Sequence, residues 1–581
     1  MSGVLTQVAG RLRTGDLVTG ISRLLALACL VGLVGMLPWL SGKDPALTIL
    51  RATSSDREPT PEVLASIRKS IGIDGGPLHV IGHWLAGVAR GDLGRSWVSG
   101  ADVGPDAVDA FGVSLSLMAA ALGVGVIVAA ALVLPALRDG LRGRPRPRGG
   151  AASAVLISLP EYLLAPILML VLAVYLRILP PFGWGSPEKV IMPALSLGLP
   201  TGGYLGGLVS DAVTATFSER WVATWSTAGI RGRTLAGAVL RRALAPLTGQ
   251  VALVVVALTG GAVAVEKIFA IPGLGRELLD AASAQDVPAL QAQILLLLAL
   301  ALTTGVIAGA VRRLLMGRAA GAGGLTAPPP VEHPGRAARV IAVSGAALLA
   351  LMVAVGIRRD PYAVVADKLA QPSAALPLGA DSLGRDVLAR VAHGAVSTVS
   401  GAVIVTVVCF VIAMLVGLAP RAATGFIEVA NAAPPILAGL IVAGVSGPSA
   451  TGAAIAVAGV GWAPLASHAA GLVAENRQRP DVLLAPVLGE GRVRITLTRV
   501  LPAVVGPLAR HAALRLPGKA LALAALGFLG LGAQSPAPEW GLVLSDALPY
   551  IERAPWAVAT PAAALVVLSI TSVAASRSMR R

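Results

Sequence analysis

Charge is scarce in this chain. Asp, Glu, Lys and Arg make up 13% of its 581 residues, about half the usual share of a soluble protein, which excludes an ordinary water-soluble domain. Cysteine is nearly absent. Cys29 and Cys409 lie far apart, each inside an apolar run, so a disulfide framework or thiolate metal site is excluded and two small buried residues are expected. A Gly-x-x-x-x-Gly-Lys-Ser/Thr phosphate loop is missing. Leu516-Pro517-Gly518-Lys519 lacks the first glycine and the hydroxyl and stands beside an apolar run, so ATP chemistry must come from another chain. No Ser-His-Asp or paired-carboxylate arrangement stands out, and no catalytic residue is expected. His79 and His83 are four apart and could share a helical face, but with no cysteine or acid cluster nearby they read as a solvated pair, not a metal site.

What is abundant is apolar. Hydrophobic residues make up 55% of the chain and the mean hydropathy is +0.77. Runs of roughly 20 apolar residues, enough to cross a bilayer, recur about a dozen times; Ile21 to Leu40, Val251 to Ala270, Ile294 to Val311 and Val340 to Ile357 are examples. Continuous runs rule out a β-barrel, which needs short alternating segments. The first run is too long for a removable signal peptide and reads as the first membrane helix. The net charge of +16 is concentrated at Arg138, Arg142, Arg144, Arg146 and Arg148, at Arg231, Arg233, Arg241 and Arg242, at Arg492, Arg494 and Arg499, and at Arg577, Arg580 and Arg581. Basic residues in short interhelical loops mark the cytoplasmic face, so a multi-pass protein of the cell membrane with both termini in the cytoplasm is expected. With no soluble basic domain, nucleic acid is not a partner.

The expected fold is all-α: a polytopic membrane protein of two six-helix units, about twelve transmembrane helices in a pseudo-two-fold arrangement. The first six fall at roughly 21–41, 109–135, 151–174, 190–212, 246–270 and 290–312, the second six at 339–357, 395–418, 425–445, 450–470, 508–532 and 556–576. Residues 1–316 form the first unit, with a large outward loop over 42–108; residues 339–581 form the second. The Gly-, Ala- and Pro-rich stretch 317–338 between them reads as a cytoplasmic linker. The repeat is visible in the spacing: Gly489 follows Gly229 by 260 positions, and Gly530-Leu531-Gly532 follows Gly273-Leu274-Gly275 by 257. Both halves begin and end inside, as repeats related about the membrane normal do.

Each half has one long inward loop, 217–246 and 471–502. Ala223, Thr224 and Trp225 lead to Gly229; Leu483, Leu484 and Ala485 lead to Gly489. A short helix, a glycine that lets the chain turn and a helix re-entering at proline are expected. Such a helix on the cytoplasmic face is suited to docking in a partner's groove, and its occurrence twice at matched positions favours docking over a plain connection.

These strings, in order, resemble the permeases of binding-protein-dependent ABC importers of the dipeptide, oligopeptide and nickel class, with both permease subunits fused head to tail. The resemblance is carried in the first half by Gly72-Ile73-Asp74, Gly91-Asp92-Leu93-Gly94-Arg95-Ser96, Val265-Glu266-Lys267-Ile268-Phe269, the Gly-Leu-Gly at 273 and Asp286-Val287-Pro288. In the second half Pro377-Leu378-Gly379-Ala380-Asp381, Leu383-Gly384-Arg385-Asp386, Phe528-Leu529-Gly530-Leu531-Gly532 and Pro538-Glu539-Trp540-Gly541 carry it. The family's inward loop usually opens Glu-Ala-Ala, and that glutamate is missing from both loops here; Trp221 and Trp225 supply apolar docking area instead.

The resemblance implies a translocation path for short peptides, or for nickel or metallophore complexes, delivered by an extracellular or periplasmic substrate-binding protein. It also implies two ATP-binding subunits, or one fused ATPase, below the lipid bilayer. This chain would bind no cofactor itself; ATP and magnesium would be used by the partner subunits. ATPase closure would push on both loops and rock one bundle against the other, which needs two packings of similar free energy. Glu161, after Pro160 in the third span, is a candidate for lining the path, since an ionisable residue there is costly without a polar cavity or partner. Glu266, near the outer end of the fifth span, is a second candidate, with a structural or gating role favoured. The alternative reading is a twelve-span secondary transporter driven by an ion gradient, which would want buried charged pairs and no matched docking loops.

Overall fold

A chain in hydrocarbon has no water to satisfy its peptide groups, so the apolar runs must close their hydrogen bonds within helices. The computed structural model describes residues 2–37, 44, 46–47, 49–50, 58–70, 76–145, 150–157, 159–316 and 336–578. Most of the expected linker (317–335), the motif at 72–74 and Arg146, Arg148, Arg580 and Arg581 lie outside them. No strand occurs among the described residues, only three isolated bridges.

Eight helices among the described residues are long and apolar enough to span a bilayer: Val103–Leu141, Gly232–Phe269, Val287–Leu315, Ala338–Gly356, Val387–Gly417, Ala450–Arg477, Arg492–Leu529 and Pro555–Ser572. A ninth candidate is the pair Ala422–Asn431 and Pro435–Ser446, bent by 89°. The expected first and third spans fall on shorter apolar helices, Gly20–Gly35 and Glu161–Tyr175, and the fourth on the 31-residue helix Pro187–Phe217. Over their described residues all twelve expected segments are largely helical, but the ninth is bent and the third is broken. It runs as Gly150–Ile157, Glu161–Leu168 and a π-helical turn Met169–Tyr175, because Pro160 has no N–H to continue the ladder. Cys409 is buried as expected, but Cys29 is exposed.

By internal packing the chain divides into two compact units, each drawn from both sequence halves. The first comprises Met1–Gly104, Asp280–Ala292 and Val396–Leu542. Here the helix Ser2–Gly35 packs on Pro420–Ala432. Ser22 Oγ donates to Ala422 O (2.6 Å) and accepts from Gly425 N (3.0 Å), and Arg23 forks onto Glu428 through two bonds of 2.7 Å. The helix Leu501–Leu529 is flanked by Pro435–Ser446, Ala450–Gly461 and Ala463–Arg477.

The second unit comprises Pro105–Leu279, Gln293–Ala395 and Val543–Arg581. Gly198 and Gly202, one turn apart, let Pro187–Phe217 lie close against Val103–Leu141. A Cβ on either would fall 2.6 Å from Cβ of Val124 or Val128, the small-residue packing that membrane helices use where no hydrophobic force drives them together. Pro555–Ser578 packs along Arg336–Gly356.

Candidate functional site

The two long loops at 217–246 and 471–502, expected to face inward, fold as elbows of the same design. In the first, the short helix Arg220–Thr227 is held by Val222, buried among Val133, Val213, Phe217, Leu235 and Val239, with Trp221 packed against the same cluster. Ala223, Thr224 and Trp225 are left exposed, with Trp225 edge-on to Trp221 at 5.3 Å. Gly229 takes φ 84° and Ile230 N closes onto Trp225 O (3.0 Å), the left-handed helix ending that glycine adopts without penalty. In the second, the helix Pro480–Leu484 is anchored by Val482, and Leu483 and Leu484 are exposed. Gly489 takes φ 81° and Glu490 N closes onto Ala485 O (3.1 Å). Val222 and Val482, Gly229 and Gly489, and the two closing bonds each lie 260 positions apart.

An arginine from the returning helix ties each elbow to an acid. Arg242 pairs with Glu219 at 3.0 Å, and Glu219 also accepts from Trp221 Nε1 (2.6 Å). Arg499 Nε donates to Glu490 (3.0 Å), and that hydrogen bond holds the Glu490 carboxyl below the ordinary range of a glutamate. Neither acid stands at the position of the glutamate that the resemblance would supply. Ala485 is buried, while Val487 and Leu488, which the sequence reading passed over, are 82% and 74% exposed.

The first elbow lies at the arginine-rich end of its unit. Val133 of its anchoring cluster is near the end of Val103–Leu141, and a Cβ on Gly140 would overlap the Phe217 ring; Arg138, Arg142 and Arg144 follow at once. Arg241 caps the last carbonyls of Val287–Met316, donating to Leu315 O (2.8 Å) and Leu314 O (3.1 Å), as a cation does at a helix C-terminus.

At the other end of the helix Thr248–Phe269 stands Glu266, 0% exposed. Ser114 Oγ donates to its Oε1 (2.6 Å), and Arg276 N donates to its Oε2 (3.0 Å). The same hydroxyl accepts from Leu274 N (2.8 Å). The Gly-Leu-Gly turn is thus wrapped around the carboxylate, and a Cβ on Gly273 would stand 2.5 Å from Oε1. The second half builds the same latch from different sequence. Thr398 Oγ1 donates to Glu539 Oε1 (3.1 Å) and Leu542 N to Oε2 (3.0 Å), and a Cβ on Gly527 would overlap Oε2. Ser114 and Thr398 each stand 11 positions after the first residue of their helices, Val103 and Val387. Because its oxygens accept from donors of its own chain, Glu266 is placed as a latch on the turn.

Glu161 opens the second piece of the broken span and lies against Thr248–Phe269, where a Cβ on Gly261 would come 2.8 Å from its Oε1. It is partly exposed. The Asp-Leu-Gly-Arg-Ser and Leu-Gly-Arg-Asp motifs tie loops together. Ser96 Oγ donates to Asp286, which also accepts from Trp97 N (3.1 Å). Asp381 accepts from Arg385 Nε and Arg390 Nη1, both at 2.7 Å. Burial pushes the Asp381 carboxyl upward, but the amides of Arg385 and Leu383 and the two guanidinium groups outweigh it and hold it below its ordinary value. His79 and His83 are exposed, and no group of three or more metal-ligating side chains occurs among the described residues. Sequence reasoning missed Ser114 and Thr398, which nothing marks among the many hydroxyls of the spans; Glu539 was visible only as a motif letter.

Many helices of membrane-spanning length and two matched elbows describe a multi-span membrane component. The model of the family of binding-protein-dependent transport system inner membrane components matches residues 150–320 and again 406–579. The chain belongs to this family and carries its unit twice. It is similar to the peptide transport system permease protein SapC of Escherichia coli O6:H1, 35% identical over 33% of this chain and 67% of SapC. It is similar also to the di/tripeptide transport system permease protein DppC of Pseudomonas aeruginosa, 34% identical over 34% of this chain and 67% of DppC. The metal-staphylopine import system permease protein CntB of Staphylococcus aureus is 30% identical over 48% of this chain and 89% of CntB. The chain is therefore a multi-pass permease of ABC-importer type, and membership of this family sets aside the ion-driven alternative.

Proposed function

We propose that this single chain forms the whole translocation path of an ATP-driven importer for short peptides, receiving its cargo from an external binding protein. Two ATP-binding subunits, or one fused ATPase, dock on the elbows at 217–246 and 471–502. ATP and magnesium are used there, and this chain holds no cofactor of its own. Units 1–316 and 339–581 each supply one six-helix permease, joined by the cytoplasmic stretch 317–338, with both termini inside. The observation that carries the reading is the elbow pair: one buried valine, an exposed apolar face and a closing bond after a left-handed glycine, repeated at 260 positions. Exposed apolar area on a polar-ended loop is what a partner's groove would cover. The arginines at the elbow end support a cytoplasmic placement. Peptide cargo is favoured by the names of SapC and DppC, and a metallophore complex is the second reading, favoured by CntB.

The test is co-purification and uptake. The wild-type chain should bring down an ATPase, removal of residues 223–229 should release it, and peptide uptake should follow ATP. Uptake that persists without an ATPase and collapses with the proton gradient would overturn the proposal.

A further inference from the structure

Lys519 stands within the helix Leu501–Leu529, ten residues before its end, about 15 Å along a helix rising 1.5 Å per residue. It therefore lies deep in the span. The side chain is 5% exposed, and no hydrogen bond or ion pair joins it to a carboxylate among the described residues. Room for it is made by Gly461: a Cβ there would stand 3.4 Å from Lys519 Cε and 3.3 Å from Cys409 Sγ. The Leu516-Pro517-Gly518-Lys519 string lies inside the helix, within the expected span 508–532.

Lys519 does not stand alone. Arg515 and His511 precede it at four-residue steps, which places all three on one face of the helix. Arg515 Nε donates to His511 Nε2 (3.1 Å), and the His511 ring stacks on His468 at 4.3 Å. This basic row is not demanded by the fold. Counting back 257 positions through the Gly-Leu-Gly repeat, the first half has Ala262, Leu258 and Val254 at these places, and it builds the corresponding helix without any of the three. A buried ammonium in a membrane span is costly unless something anionic or aqueous meets it. Its depth and burial exclude a lipid headgroup.

We propose that Lys519, with Arg515 a turn closer to the elbow, is a station for the carboxylate of the cargo on its way through the second half of the chain. This deepens the import reading and rests on it. It narrows the cargo to molecules that carry a carboxylate, as a peptide does at its C-terminus and an amino-acid chelator does around its metal.

Proteoliposomes holding the full chain with its ATPase and binding-protein partners would be given tri-alanine, tri-alanine amide and a nickel–histidine complex. Wild-type protein should take up at least one of the carboxylate probes in an ATP-dependent way. Lys519→Met should cut uptake of that probe by about tenfold or more, the scale of a lost charge-assisted contact. Lys519→Arg should retain most of it, and uptake of the amide, where measurable, should not change. A defect confined to tri-alanine identifies the peptide carboxylate; one confined to nickel–histidine identifies the chelator's. The melting temperature of Lys519→Met should be no lower than wild type, since a buried charge has been removed. ATP-dependent uptake that is equal in wild type and Lys519→Met overturns the station alone, as does a loss of uptake matched by a loss of folded protein in both variants. Absence of ATP-dependent uptake in the wild type overturns the import reading beneath it.

Discussion

Gly273 has no side chain because Glu266 occupies the space one would need. A Cβ at 273 would sit 2.5 and 2.6 Å from the two carboxylate oxygens, whereas at Gly275 the nearest obstacle is the Val263 backbone, 2.8 Å away. Both glycines therefore border Glu266, whose Oε2 would be 2.9 Å from a Cβ at 275, but at 275 the nearest obstacle is backbone. Gly273→Ala should cost about 1–3 kcal/mol of stability, the usual range for overpacking, and most of that cost should vanish in a Glu266→Ala background. Gly275→Ala should stay costly in both backgrounds, because backbone cannot be trimmed away. Thermal unfolding of the wild type and the five variants, as two double-mutant cycles sharing Glu266→Ala, reads this directly; equal costs for Gly273→Ala with and without Glu266 would show that the latch is not what fixes the turn.

The elbow is the element that links sequence pattern to function. Its parts were legible at a distance. A glycine at a matched offset predicts the left-handed turn, and an arginine-rich flank predicts the side of the membrane. The acids that brace it were not legible, because Glu219 precedes its helix while Glu490 follows its glycine, so no shared motif position marks them. The exposed Val487 and Leu488 were likewise hidden, since nothing in a short apolar string says which residue the turn carries inward. The structure answers by burying Ala485 and presenting Leu488. Leu488→Asp should reduce recovery of co-purified ATPase by about tenfold or more, as loss of an apolar anchor does at an interface. The melting temperature of the isolated chain should barely move, because surface substitutions lie within about 0.5 kcal/mol. Unchanged ATPase recovery would remove Leu488 from the docking face.

At the scale of the whole molecule, one chain carries two family units, and their differences are as informative as their likeness. Helix number and order follow from apolar length, which hydrocarbon thickness enforces. Breaks follow where proline removes a donor, as at Pro160, and were not foreseen: the 89° bend between Ala422–Asn431 and Pro435–Ser446 likewise interrupts what reads as one apolar run at 425–445. The latches repeat in geometry but not in sequence. Glu266 precedes its Gly-Leu-Gly, and Glu539 follows the other, 141 residues after Thr398, so no local window reveals the pairing. The basic row at His511, Arg515 and Lys519 exists in one half only, the mark of a duplicated scaffold whose second copy has taken on a separate task.

The most direct measurement is which side of the membrane the elbows face and what covers them. With Cys29 and Cys409 replaced, Trp225→Cys and Leu488→Cys would be labelled singly by a membrane-impermeant maleimide in right-side-out and inside-out vesicles. Both should react only in inside-out vesicles, and added ATPase should protect both. Labelling of either position from the outer side, or indifference of both to the ATPase, would contradict the account.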